Sequence, residues 1–361
     1  MSDRLTKARL LISRISLKAM SLGLLAALVP GAELAAQTPA AAPKSPTIAS
    51  IRQQGQLVCG VAKGIPGFSY PDKDGRYHGL DVDVCRAVAA AVLGDAEKVK
   101  FVPLTARSRF AALQSGEIDL MLHSTTGNLV RSAQMGLAFP AVNFYGGQTF
   151  LVKANSGIKT VKDLNGATLC TTQGSTTEVK TPDYARANNM TIHMLTFENQ
   201  DEALKAYIAG RCDTYSQDTG SIAAVRSMMK NPAEHSILPD IITKAPMGPF
   251  VRQGDEAFTN VVRWSHFAMV AAEEYGVTSK NVDEMKAKST DPEIRRILGV
   301  EGDSGKMLGL ENDWAYNIIK QVGNYGEAYD RSFGAGSPLK LPRGLNALWK
   351  DGGLQYAQPF Q

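Results

Sequence analysis

The sequence predicts an α/β protein built from two similar units that face each other across a cleft. Predicted strands alternate with predicted helices from Gln56 onward, which is typical of βαβ units and a largely parallel sheet. One helix–glycine–strand pattern occurs twice, at Phe110–Asp119 and at Leu204–Asp213. A polar cluster follows each copy, His123–Thr126 and Ser216–Thr219. Two facing units would line one cleft with both clusters, unless the units resemble each other by chance.

The first 36 residues are predicted to be a secretory signal peptide and not part of the fold. Five basic residues between Arg4 and Lys18 precede the apolar core Ala19–Val29, and cleavage is expected near Ala36. The core is short for a membrane span, although an uncleaved anchor is the alternative. Residues 37–47, rich in Ala and Pro, are predicted to be a flexible lead-in.

Composition is that of an ordinary globular protein. Hydrophobic residues make up 44% and charged residues 20% of the 361 residues, a length sufficient for two domains. The formal net charge is +4, but residues 1–36 hold five of the Lys and Arg and two of the Asp and Glu. The remaining chain is close to neutral, which gives no reason to expect a nucleic-acid partner.

The first unit is predicted from the patterns between residues 56 and 122. Strands are expected at 56–61, 98–103 and 118–122, and helices at 79–92 and 108–115. Asp81 and Asp83 favour the positive amino end of the first helix, and Gly94 and Gly116 end the two helices. A pair of acid–base carboxylates is the alternative interpretation of Asp81 and Asp83.

The second unit is predicted to begin after Gly146 and Gly147. Strands are expected at 148–153, 168–171, 191–196 and 212–216, helices at 201–209 and 220–229, and an extended exit at 237–242. Ser175 and Glu178 have the spacing of a capping box. The helix start there offers free N–H groups to an anion, although a cap and nothing more is the alternative.

The remainder of the chain is predicted to be mainly helical. Helices are expected at 255–275, 285–298 and 311–319, and residues 339–356 show no assignable pattern. Trp264 and Phe267 in the first of these helices are expected to pack in the core and not to bind a ligand.

The four cysteines are expected to form disulfides. No pair has C-x-x-C spacing and the five histidines are scattered, so no metal site is expected. Export and an even count favour disulfide bonds. Cys59–Cys85 and Cys170–Cys212 are preferred because each pair falls within one unit and leaves the units free to move. Buried free thiols are the alternative.

The segment Asp119–Arg131 is the main candidate for a ligand site. His123, Ser124, Thr125 and Thr126 follow the carboxyl end of a predicted strand, where ligands bind in open α/β sheets. Hydroxyls and the Arg131 guanidinium suit a small carboxylate, whereas a polar loop with a surface arginine is the plainer alternative. No nucleophile elbow, P-loop or dinucleotide-binding motif is present, so no cofactor is expected.

Several motifs resemble those of the polar amino acid solute-binding proteins of ABC importers. Gly79-Leu80-Asp81-Val82-Asp83-Val84 resembles the family's signature, and Leu113–Arg131, Gly166–Glu178 and Gly210–Asp218 follow its order. Trp314–Gly326 and Pro342–Tyr356 resemble the longer branch, the general L-amino-acid-binding periplasmic proteins.

The resemblance implies a type II periplasmic binding protein. Each of its two lobes is a mixed, mostly parallel sheet flanked by helices, and two crossings near Phe144–Gln148 and Ile241–Gly248 form the hinge. The implied boundaries are residues 48–145 and 247–361 for lobe 1, including a C-terminal helical extension, and 146–246 for lobe 2.

The resemblance also implies a function. The protein is expected to act as a monomer in the periplasm, capture free L-amino acids with a broad preference leaning toward polar ones, and deliver them to an ABC transporter permease in the inner membrane. No catalysis is expected. The alternatives are an enzyme on the same fold, since cyclohexadienyl dehydratases resemble this family and His123 is an evident acid–base candidate, and a ligand-sensing subunit.

The family's ligand contacts fall on particular residues of this chain. By resemblance, Arg131 binds the ligand carboxylate and Asp218 the α-ammonium. Further contacts are expected from Ser124, Thr126, Ser175 and Thr176.

The side-chain end of the site departs from the family pattern. Ile65 stands where specific members place an aromatic residue, and Phe68 of the same loop is also expected to contact the ligand. His123, Ser124 and Gly127 stand where the long branch usually has Arg-Asn and Trp. These departures leave the preferred side chain open.

Overall fold

The computed structural model describes residues 44–360, so the predicted signal peptide and most of the lead-in lie outside the described residues. The lead-in prediction is wrong at its carboxyl end, because helix α1 (Pro46–Gln54) begins within it. The Ser45 side chain caps α1 by accepting a hydrogen bond from the Ile48 N–H. Pro46 suits the first turn, where its missing N–H costs nothing.

The first lobe contains a three-stranded parallel sheet. Strand β1 lies between β4 and β5. In chain order the elements are β1 (Leu57–Ala62), β2 (Tyr70–Pro71), β3 (Tyr77–His78), α2 (Leu80–Leu93), β4 (Val99–Leu104), α3 (Arg109–Ser115), β5 (Leu120–Met121), α4 (Leu129–Ala133) and β6 (Leu137–Ala138). Strand β5 is shorter than predicted, and α4, which Asn128 caps, was not predicted.

The second lobe contains a mixed six-stranded sheet. In chain order the elements are β7 (Phe144–Lys153), β8 (Thr168–Thr172), α5 (Thr176–Ala187), β9 (His193–Phe197), α6 (Gln200–Ile208), β10 (Thr214–Asp218), α7 (Thr219–Met228), β11 (His235–Ile237) and β12 (Lys244–Met247). Strand β8 runs parallel to β9 and β10, whereas β7 runs antiparallel to β10, β11 and β12. The fold is therefore two-lobed, as expected, with a parallel sheet in the first lobe and a mixed sheet in the second, where three of the five strand pairs are antiparallel.

The pairing of β7 with β12 joins the two lobes. Strand β7 begins at Phe144, four residues before the predicted start, because β12 pairs with its first four residues. Gly146 and Gly147 therefore lie inside the strand. A Cβ on Gly147 would clash with the backbone carbonyl oxygen of Thr243, so the close approach of the two segments requires glycine there.

The chain after β12 returns to the first lobe and is mainly helical. Its elements are β13 (Val251–Arg252), α8 (Glu256–Glu274), α9 (Val282–Lys288), α10 (Pro292–Ile297), α11 (Ser304–Leu308), α12 (Trp314–Gln321) and α13 (Tyr325–Ser332). The single helix predicted at 285–298 is wrong, because Asp291 caps a new helix whose first residue is Pro292. Trp264 and Phe267 are half-buried and lie edge to face, 5.6 Å apart.

Two disulfides lie within the lobes. Cys59 on β1 is bonded to Cys85 on α2, and Cys170 on β8 is bonded to Cys212, just before β10. Both pairs are those preferred from the sequence. Separately, none of the helices in residues 44–360 is long and apolar enough to cross a membrane.

Candidate ligand-binding site

A cavity lies between the two sheets and is lined by residues from both lobes and from β12. Eight of the predicted contact residues line it, namely Ile65, His123, Ser124, Thr126, Arg131, Ser175, Thr176 and Asp218. The first five follow β1 and β5, and the last three follow β8 or end β10. The ends of these strands therefore meet at one cleft, which is the location expected for a ligand in an open α/β sheet.

Phe68 is the exception among the predicted contacts. Its ring is completely buried and does not line the cavity. It packs edge to face against Phe144 and Phe333, with ring centroids 4.9 Å away in each case. The prediction that Phe68 contacts the ligand is not supported by this position, because the turn at Gly67 directs the ring into the first lobe's core.

Arg131 lies on the short helix α4 and is buried at the cavity wall. Its Nη1 group donates a hydrogen bond to the Thr126 carbonyl. The guanidinium carbon lies 4.9 Å from the centroid of the Phe110 ring. Burial lowers the pKa of Arg131 to about 10, so the group remains cationic at neutral pH.

Arg109 is a second arginine in the cavity, and sequence reasoning missed it. It is buried, and its guanidinium carbon lies 4.8 Å from the centroid of the same Phe110 ring. Burial and the charge of Arg131 lower its pKa. Its Nε atom has no hydrogen-bond partner in residues 44–360. The sequence feature that could have indicated Arg109 is its position just after β4. The carboxyl end of β4 lies at the same sheet edge as the 123–126 loop.

His123 holds Arg109 in place. Its Nε2 atom lies 3.0 Å from the Leu104 carbonyl oxygen, which requires an N–H at that nitrogen. The Nδ1 atom is then free to accept from Arg109 Nη1 at 3.2 Å. Burial and the neighbouring Arg109 charge lower the pKa of His123 to about 3, so the ring is neutral. His123 therefore orients Arg109 while carrying no charge of its own.

The two arginines give the first lobe's wall an uncompensated positive charge. Neither forms a salt bridge with a carboxylate in the part of the chain that the structure describes. Two buried cations without an acidic partner are costly, and an anionic ligand would relieve that cost.

Asp81 fixes the loop that carries Ser124. The Ser124 backbone has a left-handed φ of 40°, unusual for a residue with a side chain. The Asp81 carboxylate accepts hydrogen bonds from the Ser124 N–H at 2.7 Å and from Asn143 Nδ2 at 2.8 Å. Burial raises the pKa of Asp81 to about 6. Because Asp83 instead pairs with Arg331, the two aspartates do not form an acid–base pair.

The second lobe contributes the start of helix α5. The Ser175 side chain caps it by accepting from the Glu178 N–H at 3.1 Å. The reciprocal half of the predicted capping box is wrong, since the Glu178 carboxylate accepts from the Gly174 N–H. Gly174 has a φ of 72°, and the turn there brings its N–H to the carboxylate. The first N–H groups of α5 have no partner within the helix and suit an anion.

Asp218 supplies a negative charge at the second lobe's wall. It ends β10 and caps α7, accepting from the Ser221 N–H at 3.0 Å and the Ser221 hydroxyl at 2.7 Å. Burial raises the pKa of its carboxyl. Nearby, the Gln148 side chain also lines the cavity, and its buried Oε1 atom has no hydrogen-bond partner in residues 44–360. Both groups are hydrogen-bond acceptors suited to an ammonium.

The two α/β lobes are joined by the paired strands β7 and β12, and the cavity between them has cationic groups on one wall and an acid on the other. This arrangement is typical of a two-lobed solute-binding protein. The family model described as bacterial extracellular solute-binding proteins, family 3, matches residues 57–284. The chain belongs to this family. Residues 285–360 lie beyond the matched region.

Curated relatives cover most of the chain. The general L-amino acid-binding periplasmic protein AapJ of Rhizobium johnstonii is 48% identical over 89% of this chain and 95% of its own. The glutamate/glutamine/aspartate/asparagine-binding protein BztA of Rhodobacter capsulatus is 47% identical over 93% and 97%. Both relatives are named as binding proteins.

One solved structure has the same fold as most of this chain. It is an ABC transporter/periplasmic binding protein from Brucella ovis with glutathione bound. It is 49% identical to this chain, with a TM-score of 0.85, and the match covers 88% of this chain and 100% of that one. An ancestral arginine-binding protein bound to arginine, 27% identical, matches 64% of this chain with a TM-score of 0.54.

Proposed function

We propose that this protein captures free L-amino acids between its two lobes in the periplasm and delivers them to the permease of an ABC importer. The main observation behind this proposal is that two buried arginines line the cavity and form no salt bridge with a carboxylate in the described chain. The opposite wall of the cavity holds Asp218. An α-amino acid carries both complementary charges. The names of AapJ and BztA support the same ligand class and the same transport role.

Arg131 and Asp218 form the proposed clamp on the groups common to all α-amino acids. Arg131 binds the α-carboxylate, because one donor of its fork is held by Thr126 and the others remain for a ligand. Asp218 binds the α-ammonium, with Gln148 Oε1 as a second acceptor. Ser124, Thr126, Ser175 and Thr176 supply further hydrogen bonds to the carboxylate.

Arg109 directs the preference toward polar and acidic side chains. A ligand with one carboxylate leaves one of the two cations unpaired, whereas a second acceptor group on the ligand satisfies both. Acidic amino acids and their amides have such a group. BztA is named for glutamate, glutamine, aspartate and asparagine, and the Brucella ovis structure holds glutathione, a ligand with two carboxylates.

Closure of the two lobes around the ligand is part of the proposal. We assign residues 48–145 and 247–361 to lobe 1 and residues 146–246 to lobe 2, with the paired segments of β7 and β12 as the hinge. Each wall supplies half of the clamp, so the ligand favours the closed state. Each disulfide lies within a single lobe, one in lobe 1 and one in lobe 2, so neither restricts this motion.

The enzymatic alternative has little chemical support in the cavity. Both ring nitrogens of His123 are engaged, one with Leu104 and one with Arg109, and its pKa of about 3 makes it a poor acid or base at neutral pH. A sensing subunit would close around the same ligand. A sensing subunit and an importer subunit therefore differ only in the protein to which they bind. Neighbouring genes that encode a permease and an ATPase would favour the importer.

Titration calorimetry with L-glutamate tests the clamp through the variant Arg131→Ala. Truncating one partner of a buried charged contact costs about 2–5 kcal/mol, so affinity should fall about thirty-fold or more. Arg252→Ala is the matched control, because Arg252 also donates to backbone carbonyls but does not line the cavity. Binding by Arg131→Ala within threefold of the unaltered protein would contradict the assignment.

A further inference from the structure

The C-terminal segment, residues 285–360, contacts the start of the first crossing. The Tyr325 hydroxyl donates a hydrogen bond to the Asn143 carbonyl at 2.8 Å. The Gln355 side chain donates to the Val142 carbonyl at 3.3 Å. Asn346 binds Tyr145, the second residue of β7. Three separate side chains of this segment thus hold the backbone where the chain leaves lobe 1.

Asn346 takes the place of a neighbouring strand along the outer edge of β7. Its Oδ1 atom accepts from the Tyr145 N–H at 2.7 Å, and its Nδ2 group donates to the Tyr145 carbonyl at 3.1 Å. The pairing with β12 is on the other side of the strand, where Tyr145 is opposite Pro246. Both backbone groups of Tyr145 are therefore bound by Asn346, while β12 lies along the opposite edge of the strand.

Asn346 is itself fixed to the helical core of lobe 1. Arg343 donates to the Asn346 carbonyl from Nε at 3.0 Å and from Nη2 at 2.9 Å. The same guanidinium binds both carboxylate oxygens of Glu273 on α8, at 2.9 Å and 3.1 Å. It also lies over the rings of Tyr325 and Tyr329. Asn346 is only 4% exposed, so its amide is held in a single orientation.

We propose that Asn346 is a positioning residue for lobe closure. By holding Tyr145, it limits the hinge rotation to the backbone from Gly146 onward. The side chain keeps Tyr145 part of lobe 1, and the next two residues are the glycines whose backbone most readily changes dihedral angles. Without Asn346 the flexible region extends back through Tyr145. This inference depends on the proposed closure and adds a residue outside the ligand cavity to it.

Loss of this restraint broadens the range of open conformations. In Asn346→Ala both hydrogen bonds to Tyr145 are absent, so the ligand-free protein samples more interlobe arrangements. The apparent dissociation constant equals the intrinsic value divided by the binding-competent fraction. We expect affinity for L-glutamate to fall about three- to tenfold, with the fully liganded, closed conformation unchanged.

Distance measurements between spin labels test the inference directly. Labels are attached to cysteines introduced at exposed Lys100 on β4 and exposed Lys205 on α6, since all four native cysteines are paired in the structure. Asn346→Ala should widen the ligand-free distance distribution, and saturating L-glutamate should restore that of the unaltered protein. Asn346→Asp keeps the acceptor for the Tyr145 N–H but turns its second carboxylate oxygen toward the Tyr145 carbonyl, so it should also widen the distribution and serves if the alanine variant fails to fold.

Asn312→Ala is the matched control. Asn312 belongs to the same segment and also binds backbone groups through both ends of its amide, accepting from the Gly305 N–H at 3.2 Å and donating to the Gly302 carbonyl at 2.9 Å, away from the crossing. Its replacement should not widen the distribution. A distribution unchanged in the Asn346 variants, or widened equally by Asn312→Ala, would overturn the proposal. Failure of the unaltered protein to bind L-glutamate would count against the proposed ligand class alone, because the ligand-free distances still test the hinge.

Discussion

The carboxyl of Asp218 makes ligand binding sensitive to pH. Its pKa is raised by burial, whereas the α-ammonium of an amino acid stays charged throughout the acidic range. As pH falls through the raised pKa, Asp218 becomes neutral and its attraction for the ammonium is lost. Affinity should therefore be highest above this raised pKa and decrease as the pH falls through it, by at most about tenfold per pH unit for one proton.

Calorimetry with L-glutamine at several pH values measures this effect, because L-glutamine has no ionisable side chain. Asp81 also titrates with a raised pKa, of about 6, and remains in the control variant Asp218→Asn. The control should bind weakly and show a flatter profile. A profile of equal slope in both proteins would assign the pH dependence to another group.

Single residues show where sequence reasoning succeeded and where it stopped. The 123–126 loop and Arg131 could be predicted because strand ends and residue types are visible in the sequence. Arg109 was missed although it closely follows β4, because it begins an amphipathic helix and nothing local shows that His123 holds its guanidinium at the cavity. Phe68 was misjudged because nothing local distinguishes a ring facing a ligand from one facing Phe144 and Phe333.

At the scale of elements, the start of helix α5 combines a structural and a binding role. The Ser175 side chain caps the helix, and Ser175 and Thr176 line the cavity. Ser175→Ala should lower the free energy of unfolding by about 1 kcal/mol and also weaken amino acid binding. Ser45→Ala is the control, because Ser45 caps α1 and does not line the cavity. Chemical denaturation and calorimetry on both variants separate the two effects; unchanged binding by Ser175→Ala would leave only the capping role.

Element boundaries were predicted best where one residue type determines them. Gly94 and Gly116 end α2 and α3 with positive φ, as their positions indicated. The break before Pro292 was missed although Asp291 and Pro292 form a helix start, because the apolar pattern continues across it. The early start of β7 required its partner β12, about a hundred residues further along the chain, which no local pattern reveals.

At the scale of the whole molecule, the two-lobed plan was visible in the repeated helix–glycine–strand pattern. The polar clusters that follow the two copies do meet near one cavity, because each lies at the carboxyl end of a parallel strand. The C-terminal segment could not be interpreted in the same way. Its contacts with the first crossing are made by isolated side chains on irregular backbone, which have no periodic signal.

The range of amino acids that bind depends on the whole cavity. A clamp on the α-carboxylate and α-ammonium does not discriminate between side chains, and Ile65 adds only apolar contact to the cavity wall. Arg109 instead favours any side chain with a suitably placed acceptor, charged or neutral. We therefore expect several L-amino acids to bind within about two orders of magnitude, or roughly 2.7 kcal/mol, with acidic and amide side chains leading.

Competition against bound L-glutamate tests this breadth. D-glutamate should compete poorly, because inversion at Cα cannot satisfy Arg131 and Asp218 while keeping the side-chain carboxylate near Arg109. Arg109→Met should reduce the advantage of L-glutamate over L-alanine while the α-group clamp remains, since only the side-chain acceptor loses its partner. Preference for a single ligand by more than a thousandfold over all others would contradict the broad range and leave the clamp intact.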